Sequence, residues 1–189
     1  MGIVVGVVGP RGVGKTTALD LLGEEHIDIK IVYYSKELVQ YCLSIEGASF
    51  FSLSIEDKDR IREGFAAHLI QKIKLISGIV IIDMHITDIR EGHGKTIQPS
   101  SILELIQMYI LLDAPRNIIY ARRLLGDVVK KRSLNLKDID SEIENESKSL
   151  TRISSQFGQP YFVVDAIGSP NNIAQAIMNS IAELIRERV

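Results

Sequence analysis

Five short apolar runs alternate along the chain with stretches whose apolar residues recur every three or four positions. Ile3–Val8, Ile27–Tyr34, Gly78–Asp83, Met108–Asp113 and Tyr161–Ala166 are the short runs. The first is mostly β-branched and nearly uninterrupted, the pattern of a strand buried on both faces, and the others read as buried-type strands like it. Between them, TTALDLLGEE places Ala18, Leu19 and Leu22 on one helical face, and SKELVQYCLSIEG follows with Ser35 placed to cap it and Gly47 to end it. From Ser54 to Ile76 the residues Ile61, Phe65, Leu69, Ile73 and Ile76 step by three and four, predicting a long amphipathic helix. A short helix is expected over Ser100–Gln107, capped by Ser100 or Ser101, and another in APRNIIYARRLL. Ile139, Ile143, Leu150 and Ile153 mark a further helix, whose apolar step is left unfilled across Glu146 and Ser147, and Ile173, Ile177, Ile181 and Leu184 mark the closing one. MHITDIREGHGKTIQP shows neither period and reads as a long loop, in a compact domain a sign of a functional segment.

Strands separated by helices predict a parallel sheet with helices on both faces. Ligands bind such sheets beyond the carboxyl ends of the strands, which directs attention to Gly9, Tyr34, Asp83, Asp113 and Asp165. The sequence has 189 residues, enough for one domain spanning 1–189 with a substantial core. A formal net charge of −2 offers no general attraction to nucleic acid or an anionic membrane. The single cysteine, Cys42, excludes an internal disulfide and suits a reducing cytoplasm. No apolar run approaches the roughly 20 residues that cross a bilayer. MGIVVG lacks the basic region of a signal peptide and the Ser or Thr of a myristoylation site. The expectation is a cytoplasmic protein without a membrane or nucleic-acid partner.

The first strand runs into GPRGVGKTT, which fits G-x-x-x-x-G-K-[ST] at Gly9, Gly14, Lys15 and Thr16. Glycines let successive backbone N–H groups converge on phosphate oxygens, and the following helix adds its free N–H groups and positive dipole end. Gly9, Pro10, Arg11, Gly12, Val13, Gly14, Lys15, Thr16 and Thr17 are therefore the expected nucleotide-binding residues. Lys15 would reach the β- and γ-phosphates, and Thr16 would ligate Mg²⁺. Asp83, ending IVIID, stands where a carboxylate holds the Mg²⁺ shell through water; its structural alternative is a local cap or ion pair. His85, two residues on, is placed to orient a hydroxyl or water, or else is a solvated loop residue.

Between positions 122 and 137 lie Arg122, Arg123, Lys130, Lys131, Arg132 and Lys137 against the single acid Asp127. Such a run suits a lid that opens by self-repulsion and closes over phosphate. The alternative is a solvated patch balanced by the acidic DIDSEIENE that follows. Arg122 and Arg132 are the expected phosphate contacts. Arg123, about 100° further round a helix, would serve the acceptor phosphate or a structural pair.

These features together resemble the small P-loop kinases of the nucleoside monophosphate group, and in particular archaeal-type adenylate kinase. IIDMH stands where that family has V-D-x-H, ARRLLGD where it has R-R-L-G-D, and KKRS places Arg132 at its lid arginine, before an acidic helix. The resemblance runs end to end. It implies an α/β P-loop NTPase fold whose five-stranded parallel sheet has order 2-3-1-4-5, with helices on both faces and a small lid. It also implies the reaction ATP + AMP = 2 ADP, Mg²⁺ as the accompanying ion, an acceptor-binding helical segment over 35–76 and a homotrimer. Lys15, Arg122, Arg132 and Asp83 become the expected catalytic residues, and His85, Arg90 and Arg123 the expected acceptor side.

Two departures stand out. The family's basic stretch after the second helix is here EGASFFSLS, with no Lys or Arg between Lys36 and Lys58; Arg60, Arg62 or Arg90 would have to substitute. Arg11 occupies a loop position usually small or proline, a variant seen in shikimate kinases, whose D-x-D and triple glycine this chain lacks. A kinase of another small acceptor, and an ATP-binding assembly or regulatory factor with a degraded acceptor site, are the competing readings.

Overall fold

The computed structural model describes residues 2–90, 93–126 and 133–187. Five parallel strands form the central sheet: β1 (Ile3–Val8), β2 (Ile29–Tyr33), β3 (Ile79–Asp83), β6 (Met108–Asp113) and β7 (Tyr161–Asp165). Their order is β2-β3-β1-β6-β7, which is 2-3-1-4-5 when sheet strands alone are counted. The helices are α1 (Lys15–Glu25), α2 (Tyr34–Glu46), α3 (Ile55–Lys74), α4 (Ser100–Leu105), α5 (Arg116–Leu125), α6 (Leu136–Phe157) and α7 (Pro170–Glu187), with a 3₁₀ turn at Phe50–Ser52. Among the described residues no helix is long and apolar enough to cross a membrane.

The expected loop after β3 is instead a two-stranded antiparallel hairpin, β4 (Thr87–Arg90) and β5 (His93–Thr96), with Thr87 opposite Thr96. A long connection must pair its backbone N–H and C=O groups somewhere, and here they pair with each other. Such pairing needs no apolar period, so the composition of this stretch concealed it. Two expected caps are also corrected. Helix α2 starts at Tyr34, so Ser35 lies inside its first turn and caps nothing. Helix α4 takes no side-chain cap from Ser100 or Ser101; the Pro99 carbonyl accepts from the N–H groups of Ile102 and Leu103 and starts the turn. By contrast Ser54 caps α3 through the Asp57 N–H at 3.1 Å, and Gly47 ends α2 with φ 64°.

Alternate residues of β1 feed two cores. Val4 and Val8 pack with α2, α3 and α4 on one face, while Val5 and Val7 pack with α1, Ile119 of α5 and α7 on the other. Gly6 is small of necessity, because a Cβ there would lie 2.8 Å from the Tyr109 ring. Helix α6 is unusual in serving both cores. Ile139 joins the α1–α7 side, whereas Leu150 and Ile153 join the α3 side. Its middle turn therefore crosses from one core to the other.

Candidate functional site

The phosphate loop follows β1 directly. Gly9, Gly12 and Gly14 adopt φ of 143°, 82° and 109°, conformations that a side chain would oppose. Helix α1 then opens at Lys15, which is buried at 5% exposure. Its Nζ donates into the loop's own curve, to the Gly9 carbonyl at 2.6 Å and the Pro10 carbonyl at 3.3 Å, and lies 3.5 Å from His85 Nδ1. The lysine is thus folded into the concavity that its loop forms.

Thr16 Oγ1 donates to Asp83 Oδ2 at 2.8 Å. The sheet arranges this meeting, because parallel β1 and β3 place Val7 beside Asp83 and so bring the two strand ends level. A hydroxyl and a carboxylate side by side are hard oxygen donors of the kind Mg²⁺ prefers, together with waters and substrate phosphates. Among the described residues no group of three or more His, Cys, Asp or Glu gathers to hold a metal by itself. Tyr33, next to Asp83 in the β2–β3 register, donates its hydroxyl to Asp20. Burial first, then that bond and the two nearby carboxylates, push its phenol well above the ordinary tyrosine range.

His85 lies against the loop. Its Nδ1 is 2.9 Å from the Gly9 carbonyl and 3.2 Å from Glu146 Oε1, two acceptors that place the proton on Nδ1. Glu146, at 2% exposure, also accepts from the Ile86 N–H through both oxygens, at 3.1 and 3.3 Å. Burial pushes its carboxyl up to about 7, against the opposing pull of Lys15, the Ile86 N–H, Arg11 and Thr87. One turn earlier on α6, Glu142 accepts from the Arg11 backbone N–H at 3.3 Å and from Arg123 at 2.8 Å. Two carboxylates four residues apart thus face the loop from the crossing turns of α6.

Arg122 and Arg123 divide as their helical spacing suggests. Arg122 Nη1 donates to the Val13 carbonyl at 2.5 Å, at the rim of the loop, and Nη2 reaches Gly168. Arg123 is placed otherwise than an acceptor-side role requires. Its side chain is wholly buried and gives two bonds to the Arg11 carbonyl, at 3.0 and 2.8 Å, one to the Ser133 carbonyl at 2.8 Å and one to Glu142. It is a clamp under the loop. Arg90 ends β4, paired in the ladder with His93. Arg132, and with it the middle of the expected lid, falls within 127–132, outside the described residues.

Glu142 and Glu146 were not foreseen from the sequence, whereas Arg123 takes the structural-pair alternative that its helical spacing offered. The unfilled step in the α6 stripe marked the position of Glu146 and gave no signal for Glu142. A helix that passes over the end of the sheet meets polar loop backbone there, and an aliphatic residue would leave that backbone unpaired.

This sheet order, with a glycine loop between its central strand and the first helix, defines a P-loop, kinase-like α/β domain. Residues 8–142 match the family model described as an AAA domain, and the chain belongs to that family. The fold is also that of the tunicamycin resistance protein of Deinococcus radiodurans, with a TM-score of 0.65 and 18% sequence identity over 96% of each chain. A search of curated proteins found no match.

Proposed function

We propose that this protein transfers the γ-phosphoryl group of Mg·ATP to a small acceptor, a nucleoside monophosphate, with AMP the first candidate. The observation that carries the nucleotide half is the Thr16–Asp83 pair at 2.8 Å beside a loop that encloses Lys15. Lys15 would exchange the Gly9 and Pro10 carbonyls for the β- and γ-phosphate oxygens, and the loop N–H groups would bind the remaining oxygens. Thr16 and, through water, Asp83 would hold Mg²⁺, which when bound would neutralise charge on the phosphates. Arg122 at the loop rim, and Arg132 on a lid spanning 122–137, would offset charge on the transferred group and exclude water. Most of the rate enhancement in such a site comes from positioning and charge neutralisation.

A specific observation favours a second acceptor class. In the 35–76 segment Arg60 is paired with Glu46 and Asp57, and Arg62 with Asp59 while stacked 5.2 Å over Phe50. Cations already engaged by carboxylates compete poorly for an acceptor phosphate, which points to an acceptor without one. The deciding experiment is ADP release from Mg·ATP, coupled to an optical readout, over a panel of nucleoside monophosphates, nucleosides and small alcohols. Turnover led by AMP supports the first reading. Turnover led by an uncharged alcohol moves the assignment to the second. Slow hydrolysis indifferent to every acceptor would remove both and leave an ATP-driven assembly or regulatory factor.

A further inference from the structure

Helix α6 carries a carboxylate at the one point of its inner stripe where an aliphatic residue is expected. Glu146 follows Ile139 and Ile143 and precedes Leu150 and Ile153, at the turn where the helix passes between the two cores. Nothing about the helix itself calls for a charge there. Burying a carboxylate carries a desolvation penalty that its neighbours only partly offset, and apolar groups of similar volume are often neutral or stabilising in such places. The partners of Glu146 account for it better than stability does. They are His85 Nδ1 at 3.2 Å and the Ile86 N–H at 3.1 Å, the residues that follow the end of β3. The backbone there is held from a second side as well, since Gln98 Nε2 donates to the His85 carbonyl at 2.5 Å.

The common target of these contacts is the Gly9 carbonyl. It accepts from Lys15 Nζ at 2.6 Å and from His85 Nδ1 at 2.9 Å. For Lys15 to serve a phosphate it must leave that carbonyl, and a backbone oxygen left unpaired at this depth opposes the move. His85 is the donor that remains, provided its ring stays where Glu146 holds it.

We infer that Glu146 is a positioning residue of the phosphate loop, holding His85 and the Ile86 N–H so that the Gly9 carbonyl keeps a donor when Lys15 turns to the nucleotide. The inference rests on the nucleotide-binding half of the proposed function and touches no question about the acceptor. Glu146 meets no substrate itself. Its effect falls on nucleotide affinity, through the cost of releasing Lys15.

Three variants of the full chain test this by titration with Mg·ATP alongside thermal melts. Wild type is measured first, and failure to bind Mg·ATP would remove the proposed function itself. Glu146→Leu and Glu146→Met restore the aliphatic stripe. They also leave the Ile86 N–H without its acceptor, which offsets the desolvation regained, and are expected to melt near the wild-type temperature while binding Mg·ATP at least tenfold more weakly, a combination that a purely structural residue does not produce. Glu146→Gln keeps an oxygen acceptor for Ile86 N and His85 Nδ1, and is expected to recover affinity to within about threefold of wild type. Either aliphatic variant folding and binding Mg·ATP within threefold of wild type overturns the inference. So does failure of both to fold, because the carboxylate would then be holding the core.

Discussion

Glu146 Oε1 lies 3.2 Å from His85 Nδ1, although the two residues are 61 positions apart. That contact joins the crossing turn of α6 to the segment after β3 and, through the Gly9 carbonyl, to the phosphate loop. The loop is therefore held by His85 on the Gly9 carbonyl, by Glu142 on the Arg11 N–H, by Arg123 on the Arg11 carbonyl and by Arg122 on the Val13 carbonyl.

Lys15→Ala removes the cation that the phosphate loop encloses. Charge-assisted hydrogen bonds contribute about 1.5–3 kcal/mol, so nucleotide affinity is expected to fall about 10- to 100-fold. The Gly9 carbonyl keeps His85 as a donor, so the fold is expected to survive. Equilibrium titration with Mg·ATP, together with a thermal melt, checks both halves of this expectation.

Thr16→Val removes the hydroxyl oxygen, and Asp83→Asn the negative charge, of the pair that would hold Mg²⁺. Both are expected to raise the Mg²⁺ concentration needed for half-maximal turnover by tenfold or more. Chelation of Mg²⁺ with EDTA should abolish wild-type turnover. An unchanged Mg²⁺ dependence in either variant would take the ion away from this pair.

Arg123→Ala should behave as a stability mutation. It strips a buried guanidinium from Glu142 and leaves the Arg11 and Ser133 carbonyls short of a donor. Breaking a buried pair in this way costs about 3–5 kcal/mol, which lowers the melting temperature by about 10 °C in a chain of this size. Arg122→Ala, at the loop rim, should melt near wild type and lose nucleotide affinity or turnover instead. Denaturant or thermal melts of the two side by side separate the roles.

The Glu146 carboxyl makes stability fall as pH rises. Its ordinary value is 4.5 and burial lifts it to about 7, so between those values the folded chain binds a proton that the unfolded chain has released. The slope of unfolding free energy with pH is therefore negative across that window, and the loss amounts to about 1–3 kcal/mol by pH 8. Lys15, Arg11 and His85 face the same group and remain in Glu146→Gln, so subtracting the two pH profiles isolates the carboxyl. The difference should grow from pH 5 to pH 8 in favour of the glutamine variant. Parallel profiles would show that the carboxyl titrates at its ordinary value.

Much of this molecule was legible in one dimension because its signals are local. The three central strands appear as apolar runs, and strands buried on both faces need no partner to be recognised; the edge strands β2 and β7 read the same way, although β7 leaves Tyr161 and Val163 exposed. The phosphate loop is equally local: nine consecutive residues between a strand and a helix hold its glycines, its lysine and its threonine. Gly47 was readable for the same reason, since its cap bonds within its own turn.

What the sequence left open depends on residues that meet across the fold. Thr16 and Asp83 could be named one at a time, but their 2.8 Å contact exists because β1 and β3 pair in register. The hairpin at Thr87–Thr96 was hidden because backbone groups pairing with one another leave no side-chain period. Arg123 could be read as a ligand contact until the structure set Glu142 and the Arg11 carbonyl against it. Glu146 appeared only as a gap in an apolar stripe. A helical pattern records which face turns inward, and only the tertiary structure decides what lies there; at the crossing turn of α6 it is the polar backbone of the phosphate-loop region, which an acid can satisfy and an aliphatic residue cannot.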